Sequence, residues 1–423
     1  MDHNLIFLKT VELFRDKLTS KDFLEEFRVP GRFVRKGKIS MHDMAVFLLF
    51  HSRATLDNKL DELKKLLPGY SMEKVSKQAL SKARYGIRHQ LFKELFDQAV
   101  DFYYKNIDFR KLWKKKYHLF AIDGSDLEVP NSESIFEEFG KQSDKKNPDL
   151  FWSMALASVM YDVQEDIIVD AQLVKQFFGE RELAVSHLST LTNLGLHKDS
   201  IVIFDRGYFS ADVYQECVNS NCFCLMRLRN TSTLCRLEGN DVITTIKAPD
   251  KTEMVCRVLK VTLSTGETEY LITNVLDKDL TCEDFRTLYF ERWKIETKYL
   301  EIKERWQIEE FTGTGALAVR QDFYVTLLHA NLASIVKAAS DQVIAQTANP
   351  DNVYQYRTRR TYVIGKLRRS FIEWLVVNCT LQDVNEMILD VSKKRSQVQP
   401  GRTRKRKRRT RARKHYTNIK TAI

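Results

Sequence analysis

Apolar residues in the first quarter of the chain recur at helical spacing. Leu5, Ile6, Leu8, Val11, Leu13 and Phe14 follow an i, i+3, i+4 rule, and Met44, Val46, Phe47, Leu48, Leu49 and Phe50 repeat it. Ser40 and Ser71 stand where helix N-caps belong, and the Pro68-Gly69 turn precedes a short polar and basic helix, Ser76-Lys-Gln-Ala-Leu-Ser-Lys-Ala-Arg84. Such a helix fits a DNA major groove, and equally the surface of a helical bundle. The region to about residue 110 is therefore predicted to be helical.

The pattern then changes. Tyr117–Ile122, Phe151–Tyr161, Ile167–Val174, Ser200–Phe204 and Cys222–Leu228 are short apolar runs of strand type, with helical stretches at 180–194 and 209–219. Strands alternating with helices predict an α/β core around a mixed sheet. From about 230 to 278 the helices stop, and Val242–Ile246, Met254–Leu263 and Tyr270–Val275 read as further strands. After Asp322 helical spacing returns, interrupted at Asn349-Pro350.

Charge adds a feature that periodicity does not show. Of 68 Lys and Arg, 13 lie between Lys393 and Lys414 with no acid among them, and the 55 that remain face 56 Asp and Glu. The body is thus close to neutral and the excess is a tail too charged to pack, which suits phosphate contact with counterion release. Residues 1–110 carry a milder excess, 21 basic against 15 acidic. No apolar stretch is long enough to span a bilayer, and acids within the first 17 residues argue against a signal peptide. Seven scattered cysteines with no CxxC pair point to buried thiols in a reducing, cytoplasmic setting.

The chemistry centres on Tyr289-Phe-Glu-Arg292-Trp-Lys-Ile-Glu296-Thr-Lys-Tyr-Leu-Glu-Ile-Lys303. On one continuous helix, Tyr289, Arg292, Glu296 and Lys303 fall within roughly 60° of one face. That face presents a carboxylate between two cations, beside a phenol. Asp123 follows the apolar run Leu119–Ile122 before Gly124-Ser125, and Asp205 follows Ile201–Phe204 before Arg206-Gly207. Carboxylates at neighbouring strand ends converge where open sheets bind ligands, and three of them suffice to hold Mg²⁺, which takes oxygen donors and keeps waters. Two such ions about 3.5–4 Å apart activate a nucleophile and stabilise a leaving oxygen in phosphodiester cleavage. Taken singly, an Asp after a strand is often a turn former, Asp126 rivals Asp123, and Glu296 with Arg292 reads as a helix ion pair.

Jointly these motifs resemble the bacterial insertion-sequence DDE transposases of the group named for its Tyr-Arg-Glu-Lys motif. The matching residues are Asp123 in Ala-Ile-Asp-Gly-Ser, Asp205 in Phe-Asp-Arg-Gly-Tyr-Phe, and Tyr289, Arg292, Glu296 and Lys303 at the group's spacing. Gln78–Arg84, Glu309–Gly315 and Arg320–Tyr324 also resemble segments of that group, so the likeness covers roughly 70–335.

The resemblance implies a ribonuclease-H-like catalytic core with a β-rich insertion before the catalytic Glu. Asp123, Asp205 and Glu296 would be the catalytic acids and ligands of two Mg²⁺ or Mn²⁺ ions. Tyr289, Arg292 and Lys303 would bind the DNA end, with Tyr270 and Trp293 as candidate platforms for a flipped base. The implied reaction is cleavage at element ends through a hairpin, then strand transfer into target DNA. Its partners would be terminal inverted repeats, target DNA and a second copy of the chain, in a bacterial, nucleoid-associated setting. A nuclease without strand transfer and a non-catalytic DNA-binding regulator are the alternatives. The organisation expected is a helical DNA-binding domain over 1–112, the core over 113–229 and 280–340, the insertion over 230–279, a C-terminal helical region over 341–392 and a disordered basic tail over 393–423.

Overall fold

The computed structural model describes residues 1–35, 37–52, 54–70, 75–143, 147, 149, 151–263 and 266–398. Two compact units emerge. One holds Met1–Asp108, Leu127–Ala155 and the chain from Ile302 onward; the other holds Phe109–Asp126 and Leu156–Glu301.

The chain opens with six helices, α1 (His3–Thr19), α2 (Lys21–Glu26), α3 (Met41–Leu49), α4 (Leu56–Leu66), α5 (Lys77–Arg84) and α6 (Gln90–Asn106). Ser40 caps α3 reciprocally: its hydroxyl accepts the Asp43 N–H, and the Asp43 carboxylate accepts the Ser40 N–H. The predicted cap at Ser71 lies outside the described residues. Strands and helices then alternate: β1 (His118–Val129), α7 (Glu133–Phe139), β2 (Gln142–Ser143), β3 (Phe151–Asp162), β4 (Ile167–Lys175), α8 (Glu180–Asn193), β5 (Ser200–Phe204), α9 (Ala211–Asn219) and β6 (Phe223–Arg227). Three strands follow, β7 (Asp241–Lys247), β8 (Glu253–Thr262) and β9 (Thr268–Thr273). The rest is α10 (Cys282–Phe290), α11 (Trp293–Glu304), α12 (Ala316–Gln346), β10 (Gln355–Thr358), α13 (Arg360–Val376), α14 (Leu381–Ser392) and β11 (Arg395–Val398).

The first unit is built on α12. Its side chains from Phe323 to Val336 are buried on every face, the mark of a core helix. It is covered by α1, α3 and α6 from the front of the chain and by α13 and α14 from the back. Helices from the stretches 1–112 and 341–392 thus pack on one helix that is buried all round. The short basic helix α5 is docked here by its last residue. Arg84 is buried, donating from Nε to Gln321 (3.0 Å), from Nη1 to Thr312 (3.0 Å) and from Nη2 to Asp322 (3.2 Å). Lys77, Gln78 and Lys82 remain exposed. The basic stretch expected to be disordered from 393 begins with a strand instead, since β11 pairs antiparallel with β10. No helix among the described residues is long and apolar enough to cross a membrane.

The second unit carries a mixed sheet. Its strands run β3-β1-β5-β6-β9-β8-β7, with β4 paired on β3. The β1, β5 and β6 ladders are parallel; β6 with β9, β9 with β8 and β8 with β7 are antiparallel. The five-strand order β4-β3-β1-β5-β6, with α8 between β4 and β5 and α9 between β5 and β6, is a ribonuclease-H-like core. β5 is buried along its whole length, as a central parallel strand must be. In the β-rich segment expected as an insertion over 230–279, β9 hydrogen-bonds to β6 and continues the same sheet. Gly124-Ser125 lies within β1, because the alternation of Asp126, Leu127, Glu128 and Val129 carries the strand onward past the apolar run.

Candidate active site

Strand register brings the first two acids together. Ile122 pairs with Phe204 at the last rung of the parallel β1–β5 ladder, so Asp123 and Asp205, the next residue in each, follow at the same level. Gly124 lies in close quarters beside them: a Cβ there would meet Glu180 Oε1 and Leu156 Cδ1, both at 3.1 Å.

The third acid comes from α11, and two buried side chains seat that helix on the sheet. The Tyr299 hydroxyl reaches the carbonyls of Asp123 (2.9 Å) and Ala157 (2.8 Å), sharing its one hydrogen between them. Lys298, buried, places its ammonium 3.0 Å from Asp166 in the turn between β3 and β4. Glu296 lies in the first turn of this helix.

The single helix predicted over 289–303 is two. α10 ends at Phe290 and α11 begins at Trp293, joined by i→i+3 bonds from Glu291 N–H to Leu288 and from Arg292 N–H to Tyr289. That tighter turn breaks the common face, and Arg292 sits in the joint. The residue is 6% exposed, and its guanidinium bridges all three acids. Nη2 is 3.0 Å from Glu296 Oε1 and 4.0 Å from Asp205 Oδ1, and Nη1 is 3.7 Å from Asp123 Oδ2. Tyr289, closing α10, donates its hydroxyl to Asp205 Oδ1 at 3.2 Å.

Of the six residues singled out in the sequence, Asp123, Asp205, Tyr289, Arg292 and Glu296 thus meet in the second unit. Lys303, in the last turn of α11, belongs to the first unit, where its ammonium lies 3.4 Å from Glu309. Asp126, the rival of Asp123, accepts instead from Gln176 Nε2 (2.7 Å). Trp293 is exposed, with its ring centroid 5.5 Å from the Arg292 guanidinium carbon, whereas Tyr270 is half-buried in β9 opposite Lys260.

Burial and like charge shape the electrostatics. Burial pushes Asp123 up to about 7, against the pull of Arg292 and the Gly124 N–H, with Asp205 and Glu296 adding to the rise. Glu180, in the first turn of α8, is raised by burial and by Asp126 and Asp205. Tyr289 is raised by burial and by Asp205, which keeps its phenol a donor.

Three carboxylates offer the hard oxygen donors that Mg²⁺ and Mn²⁺ take. As placed, no three His, Cys, Asp or Glu side chains among the described residues form a metal cluster; the cation standing among these acids is that of Arg292. Donor chemistry and stand-in cation both fit a divalent ion in this pocket. Sequence reasoning did not single out Tyr208, Tyr299, Lys298 or Glu180. Tyr299 was the accessible one, three residues past Glu296 and so on its side of the helix.

Residues 114–332 match the family model described as a transposase DDE domain. No curated relative matches the chain in sequence. Among solved structures, the cryo-EM structure of the piggyBac transposase synaptic complex with hairpin DNA aligns over 90% of this chain and 85% of that one, at 9% identity and a TM-score of 0.49.

Proposed function

Because the chain belongs to the transposase DDE domain family, we propose that it cuts and joins DNA with Asp123, Asp205 and Glu296 as its catalytic acids. The observation that carries this reading is the convergence of the three carboxylates on one guanidinium. They would hold two Mg²⁺ or Mn²⁺ ions, which supply charge neutralisation at phosphorus and an activated oxygen nucleophile. In the first step a water oxygen bonds to phosphorus and the P–O3′ bond breaks, leaving a 3′ hydroxyl and a 5′ phosphate. That hydroxyl oxygen would then bond to phosphorus of the opposite strand as its P–O3′ bond breaks, giving a hairpin and releasing the flank with a 3′ hydroxyl. Water would reopen the hairpin at its P–O3′ bond, and the freed hydroxyl would bond to a target phosphorus as the target P–O3′ bond breaks.

In this scheme Arg292 leaves the acids for phosphate oxygens of the element end, since cations displace it from the carboxylates and its planar fork matches a phosphate. Tyr289 keeps Asp205 oriented, and Lys303 binds the same DNA end. Exposed Lys77, Gln78 and Lys82 of α5, together with the basic tail, would contact terminal inverted repeats and target DNA. A synaptic pair of chains would assemble on two ends in a bacterial nucleoid.

The test is a gel assay on end-containing DNA with wild-type protein and Glu296→Gln. Expected are Mg²⁺-dependent nicks, hairpins and joined products from the wild type, and unchanged end binding without nicking from the variant. Nicking by the variant at the wild-type rate would overturn the site. Nicks without hairpins or joining identify a nuclease, and binding without any cleavage by the wild type identifies a regulator.

A further inference from the structure

Three phenols surround the acid pocket, and two are satisfied. Tyr289 donates to Asp205, and Tyr299 donates to the carbonyls of Asp123 and Ala157. The third is Tyr208, in the loop after β5, three residues past Asp205. It is 1% exposed, and its hydroxyl has no hydrogen-bond partner among the described residues.

Its surroundings are those of the site. Besides burial, the charges that act on this phenol are Glu180, Asp123 and Asp205, with Arg292 opposing them; all raise it well above its ordinary value except Arg292. The phenol therefore stays protonated and remains a donor. The loop bearing it is held from α8, where Arg181 donates from Nε and Nη2 to the Gly207 carbonyl (3.2 and 3.1 Å). The ring packs on Phe204 with centroids 5.7 Å apart. A fixed loop and a packed ring leave the hydroxyl little freedom to find another partner. A buried donor left unpaired is costly, so this hydroxyl calls for a partner, an ordered water or a bound group.

The geometry points to Tyr208 as the donor that this pocket reserves for an oxygen arriving with the metal-bound substrate. The inference rests on the proposed metal-dependent reaction at these acids. The shared chemistry is an anionic or metal-polarised oxygen, carried either by a water on the ion or by a non-bridging phosphate oxygen of the DNA. Ion-bound carboxylates only accept, and Arg292 is a cation, so neither duplicates the neutral hydroxyl donor that Tyr208 offers.

Tyr208→Phe removes the hydroxyl and nothing else. Melting temperatures are compared for variant and wild type in EDTA, with Mn²⁺ alone, and with Ca²⁺ plus an end-containing duplex; nicking in Mg²⁺ is measured in parallel. In EDTA the variant should melt at the wild-type temperature or above, because an unpaired buried hydroxyl is lost. Nicking should fall roughly tenfold to a hundredfold, the range for removal of a supporting hydrogen bond at a metal site.

A smaller Mn²⁺-induced shift in the variant assigns the donor to water on the ion. An unchanged Mn²⁺ shift with a smaller duplex-induced shift assigns it to the phosphate. A lower melting temperature in EDTA overturns the proposal, since the hydroxyl would then serve the fold. Equal shifts in both arms, with nicking unchanged, overturn it as well. Should the wild type bind Mn²⁺ and duplex without cutting, the transposase reading fails while the melting shifts still decide the role of Tyr208.

Discussion

The guanidinium of Arg292 lies 3.0 Å from Glu296 Oε1, one helical turn on, and the same group reaches toward Asp123 and Asp205. An i,i+4 ion pair on a helix surface is worth a few tenths of a kcal/mol. This one differs because its cation is buried and answers three carboxylates that would otherwise repel one another across a low-dielectric pocket. Arg292 therefore links fold to chemistry: it makes the acid cluster tolerable before any ion or DNA is bound.

Arg292→Ala should expose that tension. Without metal the variant should lose about 1–3 kcal/mol of stability, below the range for a fully buried pair because the acids are partly solvated. Divalent ions should restore more stability to it than they add to the wild type, since they then neutralise acids that have no internal cation. Thermal melts with EDTA and with Mg²⁺ measure both effects. An equal Mg²⁺ gain in the two proteins would show that Arg292 does not neutralise the cluster.

Asp123 predicts a pH dependence of defined sign. Its carboxyl is raised from 3.8 to about 7 in the fold, so the folded protein holds that proton more tightly than the unfolded chain. The contribution is fully present below about pH 4 and is lost as pH rises through about 7, by no more than about 4 kcal/mol for a shift of this size. Metal-free protein should accordingly lose stability over that window, while Mg²⁺ affinity, which needs the ionised carboxylate, should rise across it. Melts against pH in EDTA, compared with Asp123→Asn, check the assignment: the variant's profile should be flatter, and an identical slope would reject it.

How much of this was legible in the sequence depends on the kind of signal. The strands carrying Asp123 and Asp205 showed as apolar runs because central parallel strands are buried on both faces. The ladder register that levels the two acids had no local signature; it follows from pairing between residues some eighty positions apart. The break between α10 and α11 was also hidden, since Glu291 and Arg292 are ordinary helix formers and the tightened joint arises where Arg292 meets the acids. Arg84 shows the same limit. Its place in a short basic helix suited a DNA groove and a bundle surface equally, and Gln321, Thr312 and Asp322 enclose it. Long-range burial decides such residues, and composition cannot reveal it.

The basic tail yields the last prediction, and the structure locates the cut. Residues 399–423 contain 11 of the Lys and Arg and no Asp or Glu. β11 ends at Val398 and pairs with β10, so truncation after Ser392 would strip a strand from the first unit. Truncation after Val398 keeps that strand and removes those 11 cations. Each phosphate neutralised contributes a slope of about −0.9 to the dependence of log affinity on log salt for duplex DNA. If the tail lies along duplex, losing it should flatten that slope by several units and weaken binding most at low salt. Binding isotherms at a series of NaCl concentrations, on duplexes with and without the element end, measure both. A parallel drop on the two duplexes marks the tail as a sequence-independent phosphate contact. An unchanged slope would show that the folded body alone supplies the DNA affinity.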